Sequence, residues 1–291
     1  MGTSGAFVIP LVLSLRLRGL GFLQDPNDFG QQIVIVLALM PILAKKSQRL
    51  LKMALWTAVP VFLYAIYLTQ SRGTLLGLGA LVIGMGWKRM GKVKAVLVSS
   101  FLTVSYLAIG FASDRGVSMT ESSSSNRLTY WGDGIQMFLH SPVFGAGYKN
   151  FSDVAGGHTA HNSFVLCFSE LGLFGYLFWM TLFVLAFKQL NRALSTPDAP
   201  GVDPELMRVA GAYRNALSVF LVTGWFLSRT YAISIYLLFG AAQAIFQLRR
   251  NNVPSPLFRI KIPKVLAFSG VLQFASVLVI YVMVRIHWFM K

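Results

Sequence analysis

"HNSFVLCFSELGLFGYLFWMTLFVLAF", residues 161–187, holds one acid, Glu170, and no lysine or arginine. An α-helix needs about 20 predominantly apolar residues to cross a hydrocarbon layer roughly 30 Å thick. This stretch exceeds that length, so it reads as a membrane-spanning helix that opens on His-Asn. The rest of the chain agrees. Of 291 residues, 55% are hydrophobic and 12% charged, and the mean hydropathy is +0.61. A soluble domain carries about 25% charged residues. The expected fold class is therefore all-α, a polytopic transmembrane helix bundle.

Seven further spans are expected from apolar runs, at Phe29–Ala44, Met53–Thr69, Thr74–Trp87, Val93–Ala112, Val209–Leu227, Tyr231–Gln247 and Val265–Val284. The connections at 45–52, 88–94, 188–208 and 249–264 collect 16 lysines and arginines, and the other side holds nine. Basic residues accumulate in cytoplasmic loops, which places those four connections in the cytoplasm. The net charge of +16 thus reflects membrane topology and does not call for a nucleic-acid partner. The single cysteine, Cys167, allows neither a disulfide framework nor a thiolate metal site. The run Ala6–Leu15 lacks a basic region before it and a cleavage site after it, so it does not read as a signal peptide. It is too short to span and is expected to be the remainder of a helix that begins upstream.

With that orientation, Arg72, Arg127, His161 and Arg229 all fall on the external face. So does the one long loop, 113–160, expected to be periplasmic. It carries a serine run, "TESSSSNR" (120–127), expected to be flexible. There follows a segment in which Leu128, Trp131, Ile135 and Phe138 recur at helical spacing before Pro142. Two readings of this amphipathic helix stand side by side. It lies on the membrane or over a cavity, or it packs on neighbouring spans.

Thr74–Trp87 is short for a span, so its helix is expected to begin near Ser71 and to draw Arg72 into the interface. A snorkelling arginine is the plain reading. A planar fork of donors suited to phosphate oxygens is the functional one. Arg127 is expected near the start of the amphipathic helix, with Ser125 or Asn126 as its N-cap. Helix amides and guanidinium would then face one anion, unless the residue is simply a solvated charge. His161, beside Asn162 at the mouth of its span, offers an imidazole able to take a proton from a hydroxyl. His158 and His161 lack the zincin spacing, and no metal is expected. Glu170 lies about 13 Å along the helix from His161 and is expected to be a hydrogen-bonded structural acid. Arg214 is expected to snorkel toward the cytoplasmic end of its span. "FGAGYKNF", 144–151, reads as a turn.

Taken in order, "DPNDFGQ", "SRG", "NRLTYW", "HSPVFGAGYKNF" and "HNSF…ELGLFGY" resemble the O-antigen ligase and polymerase superfamily, best from about Met53 to Phe187. The expected organisation is an N-terminal membrane segment 1–52, a ligase-related region 53–187 that includes the loop 113–160, and C-terminal helices 188–291. The resemblance implies a glycosyltransferase of the bacterial inner membrane, acting in polysaccharide or lipopolysaccharide biosynthesis with its site facing the periplasm. It further implies an undecaprenyl-diphosphate-linked glycan as donor and a hydroxyl of a lipid A-core type lipid, a glycan or a protein as acceptor. Within that family pattern His161 matches the catalytic histidine, and Arg72 and Arg127 match the arginines that bind the diphosphate. Asn162 and Arg229 stand as supporting residues. No cofactor is expected. The rival class is a transporter or flippase for a lipid-linked glycan, which would call for a repeat of broken helices with paired ionisable groups. The sequence shows no such repeat.

Overall fold

A computed structural model of the chain describes residues 16–86, parts of 91–100, and residues 117–195, 203–252 and 258–289. Helices are the only regular elements among the described residues: after a 3-10 turn at Gly21–Leu23 come α1 (Pro26–Lys46), α2 (Arg49–Thr69), α3 (Arg72–Gly86), α4 (Val117–His140), the single turn α5 (Phe151–Val154), α6 (Ser163–Ala193), α7 (Pro204–Thr223), α8 (Ile233–Asn252) and α9 (Ile262–Phe289). The expected all-α bundle is what forms. Most of the expected span 93–112, and the run 6–15, lie outside the described residues.

Local chemistry explains the boundaries. α1 and α7 each begin with Asp-Pro: the carboxylates of Asp25 and Asp203 accept backbone N–H groups of Asn27 and Glu205, and proline occupies the first helical position. α2 ends at Gln70, whose left-handed backbone breaks the helix before Ser71. The Ser71 hydroxyl then accepts the Thr74 N–H and starts α3, where the sequence placed it.

Four helices are long and apolar enough to cross a membrane, α1, α2, α6 and α9. α3 is apolar but shorter, and α7 and α8 stay below the hydropathy of the other four. The difference follows from position. α7 packs against α1, α3, α6 and α8, so part of its surface meets protein rather than lipid and can carry polar groups. α2 and α9 do the reverse. Only 6% and 22% of their apolar windows are buried in the protein, leaving Trp56, Val61, Phe274 and Val279 outward. Large apolar residues exposed in such rows suit a lipid surface.

Glycines draw α3 against its neighbours. A Cβ on Gly77 would stand 2.5 Å from Thr223 Cγ2 of α7, and one on Gly30 of α1 would stand 2.3 Å from Thr74 Oγ1. Small residues at such crossings let helix backbones approach closely. An aromatic cluster of Phe164, Phe168, Tyr176, Trp179, Phe183, Phe220 and Phe239 fills the centre among α6, α7 and α8. Tyr176 reaches out of it to share a 2.6 Å hydrogen bond with Ser276 of α9.

α4 departs from expectation at its start. It begins at Val117, so the serine run is helix and neither Ser125 nor Asn126 is an N-cap. Extending an existing helix costs far less than nucleating one, and the packed second half of α4 supplies the nucleus. Trp131 and Ile135 are buried and Leu128 and Phe138 half-buried against α6 and α9. Phe138 meets Phe168 edge-on with centroids 5.5 Å apart. Of the two readings of this helix, packing on neighbouring helices is the observed one.

α6 is broken at Gly172, where φ is 65° and ψ −166°. Only glycine adopts that conformation readily. Backbone groups on both sides of the break find partners in the turn after α4. Ala146 and Gly147 donate their N–H groups to the carbonyls of Ser169 and Glu170, at 2.9 and 3.0 Å. The Leu173 and Phe174 N–H groups donate to Pro142 and Val143, and Gln273 of α9 donates to the Leu173 carbonyl. The two motifs "HSPVFGAG" and "ELGLFG" are therefore one interlocked unit. Non-helical backbone at membrane depth survives only when protein satisfies it in this way.

Candidate active site at the mouths of α1, α3 and α6

The N-terminal ends of α1, α3 and α6 lie at one end of the bundle, and α4 passes the same end. "HNS" divides three tasks there. Asn162 is the N-cap of α6: its side-chain oxygen accepts the N–H groups of Phe164 and Val165 at 2.8 and 3.1 Å. Ser163 clamps α6 to the turn between α7 and α8. Its hydroxyl donates to the Leu227 carbonyl (2.5 Å) and accepts the Arg229 N–H (2.9 Å), while its carbonyl accepts the Thr230 hydroxyl (2.7 Å). His161 is left over. It precedes the helix rather than opening it and adopts a left-handed backbone (φ 48°) with its ring half-buried. A left-handed histidine is uncommon and strained, a feature that clusters at functional sites.

Two effects hold the His161 imidazole below the ordinary histidine range. Burial is the larger, and the charge of Arg127 adds to it, with Asp25 opposing and His158 contributing less. Both effects favour the neutral ring, the form that can accept a proton. Burial likewise lowers the Arg127 guanidinium, with Asp25 raising it and Arg72 lowering it further. Asp25, Arg72, Arg127, His158 and His161 thus form one electrostatic cluster drawn from four separate segments.

Arg127 reaches this cluster from ten residues inside α4, not from a helix N-terminus. The backbone amides around it are committed to the helix, so the anion-binding contribution expected of free amides is absent there. A different feature takes its place. Arg127 Nε and Asn162 Nδ2 are buried donors without a hydrogen-bond partner among the described residues. Buried polar groups are nearly always paired, so orphaned donors mark a place that a ligand with acceptor oxygens would complete.

The other sequence candidates have separate surroundings. Arg72 is exposed at the first turn of α3. Arg229 forms an ion pair with Asp28 of α1, which ties the α7–α8 turn to α1 and commits its charge. His158 stacks on Tyr130 with centroids 4.9 Å apart. Glu170 is buried, accepting the Phe151 N–H (3.1 Å) and the Tyr231 hydroxyl (2.7 Å), a structural acid as expected. Arg214 bonds Asn191 at 3.4 Å. Among the described residues no three His, Cys, Asp or Glu side chains converge on a possible metal position.

Sequence reasoning missed Asp25, Asp28, Ser163 and Tyr231. The Asp-Pro pair was a readable helix-start signal. Nothing local distinguishes Ser163 or Tyr231, whose partners lie more than 60 residues away.

These features define a multi-pass helical membrane protein with a cationic, donor-rich site at one end of the bundle. Residues 55–180 match a family model described as O-antigen ligase. The matched stretch runs from α2 through Arg72, Arg127 and His161 into α6. Over it the chain is similar to the glycosyltransferase-type ligases and polymerases of that superfamily, as the motifs suggested. No curated protein matches the chain.

Proposed function

We propose that the protein transfers a glycan from a polyprenyl-diphosphate carrier, of the undecaprenyl kind, to an acceptor hydroxyl on the periplasmic face of the inner membrane. The observation that carries this reading is the buried, unpaired Nε–H of Arg127 in the same cluster as Arg72 and the left-handed His161. Nucleotide sugars are cytoplasmic, so an outward site must use a lipid-linked donor. As the anomeric carbon–oxygen bond breaks, negative charge grows on the leaving diphosphate. Arg72 and Arg127 stabilise that charge more in the transition state than in the ground state. His161 takes the proton of the attacking hydroxyl. Attack opposite the leaving group inverts the anomeric centre, and arginine neutralisation makes a divalent metal unnecessary. A lipid A-core acceptor gives a ligase. A growing glycan or a protein hydroxyl gives a polymerase or a protein ligase at the same site.

A broken helix is also a transporter feature. Here the break at Gly172 is sealed by the 142–147 turn, which favours a fixed scaffold over a moving gate.

Three measurements test the proposal. Purified protein with undecaprenyl-diphosphate-linked glycan and acceptor is expected to give transferred product without nucleoside triphosphate and in the presence of chelator. Loss with chelator and recovery with metal would refute the metal-free route. Reporter fusions at Ser123 and Lys291 are expected to report a periplasmic position, and cytoplasmic signals at both would sink the orientation. The pH profile provides the third. A lowered His161 pKa keeps the base neutral to lower pH, so kcat/KM should fall only below the ordinary histidine value of about 6.5. Arg127→Gln removes one cause of that lowering. The acid limb of its residual activity should move up in pH, and an unmoved limb would uncouple the two residues.

A further inference from the structure

A cavity of about 380 Å³ lies at the other end of the bundle from His161, between α1, α3, α7 and the end of α6. Its lining includes Lys45, Arg208 and Arg214, against one acid, Glu205, and is otherwise mostly apolar. Helix direction fixes its depth. Asp25 caps the start of α1 in the His161 cluster, whereas Lys45 lies one residue before its end, and a helix of this length spans about 30 Å. That is the thickness of a hydrocarbon layer. The cavity therefore sits at the opposite membrane interface, with cations beside an apolar interior.

We propose that this cavity binds the headgroup of an anionic phospholipid from that leaflet. A hydrated free anion gains nothing from the apolar walls. A lipid phosphate can meet Lys45, Arg208 and Arg214 while its glycerol and upper acyl carbons lie against them. Basic pockets between helices at a cytoplasmic interface suit such headgroups. Gly211, inside α7, supports the reading. A Cβ there would meet nothing within 4 Å, so this face of the helix opens onto space rather than onto a packed neighbour. Glycine within a helix otherwise disfavours it, so its presence here leaves room for a ligand at the expense of local propensity.

The test is thermal unfolding of the full chain in neutral detergent, titrated with phosphatidylglycerol or phosphatidylcholine. Phosphatidylglycerol is expected to raise the Tm by about 5 °C when well above its Kd, and phosphatidylcholine to have little effect. Gly211→Phe fills the space, and Arg208→Gln removes a cation from an exposed position where folding is not at stake. Each should shrink the difference between the two lipids. Inorganic phosphate is the probe for a free anion. Equal shifts with both lipids, a difference that survives in both variants, or a full shift with phosphate alone would overturn the assignment.

Discussion

His161→Ala is expected to lower the rate of glycan transfer by a factor of roughly 10² to 10⁴, the usual loss when a general base is removed. Folding and insertion should be unaffected. His161 lies outside α6, and Asn162 and Ser163 make the contacts that start the helix and fix it to the α7–α8 turn. Relief of a left-handed histidine is not expected either, because alanine in the same conformation remains strained. His158→Ala is the control. Its ring stacks on Tyr130 at the surface, so the variant should keep most of its activity. A single-turnover assay of both variants decides the matter. If His158→Ala were inactive and His161→Ala ran at the normal rate, the base would be misassigned.

The largest stability effect is expected at the interlock of the 142–147 turn with the break in α6. Gly145 has φ +75°, and a Cβ there would stand 2.3 Å from the backbone of Glu170. Gly172 has φ +65°, and its Cβ would stand 2.4 Å from Gly145 N. Gly145→Ala and Gly172→Ala each combine backbone strain with a backbone clash that no side-chain rotation relieves. Each is expected to cost about 2–5 kcal/mol, strain and overpacking together. Gly156→Ala and Gly157→Ala are the comparison, since both residues have positive φ but open surroundings. Only strain remains there, about 1–2 kcal/mol. Thermal unfolding of the four variants in detergent should separate the two pairs, and equal losses would mean that the interlock contributes little. Movement of this joint would also displace the Glu170 carboxylate from Phe151 and Tyr231. The Gly145 and Gly172 variants should therefore lose transfer activity even where they still insert.

The sequence by itself determined the class of protein and most helix positions. Apolar length and the helix start near Ser71 are local signals, and α1, α2, α3 and α6 lie where those signals put them. It also marked Arg72, Arg127 and His161 one at a time, each beside an ordinary alternative. Tertiary structure decided which of these charges sense one another. It half-buried Arg127 in α4 with its Nε–H unpaired, committed Arg229 to Asp28, and left His161 in the cluster while Asn162 and Ser163 took structural work. It also made the serine run a helix and broke α6 at Gly172. The physical reason is the range of the interactions. Capping, turn chemistry and hydrophobic length act between near neighbours and leave a pattern in the chain. The Ser163 clamp, the 142–147 turn on α6 and the Gln273 bond to the Leu173 carbonyl join residues separated by 64, 23 to 31, and 100 positions, and take form only once the helices have packed.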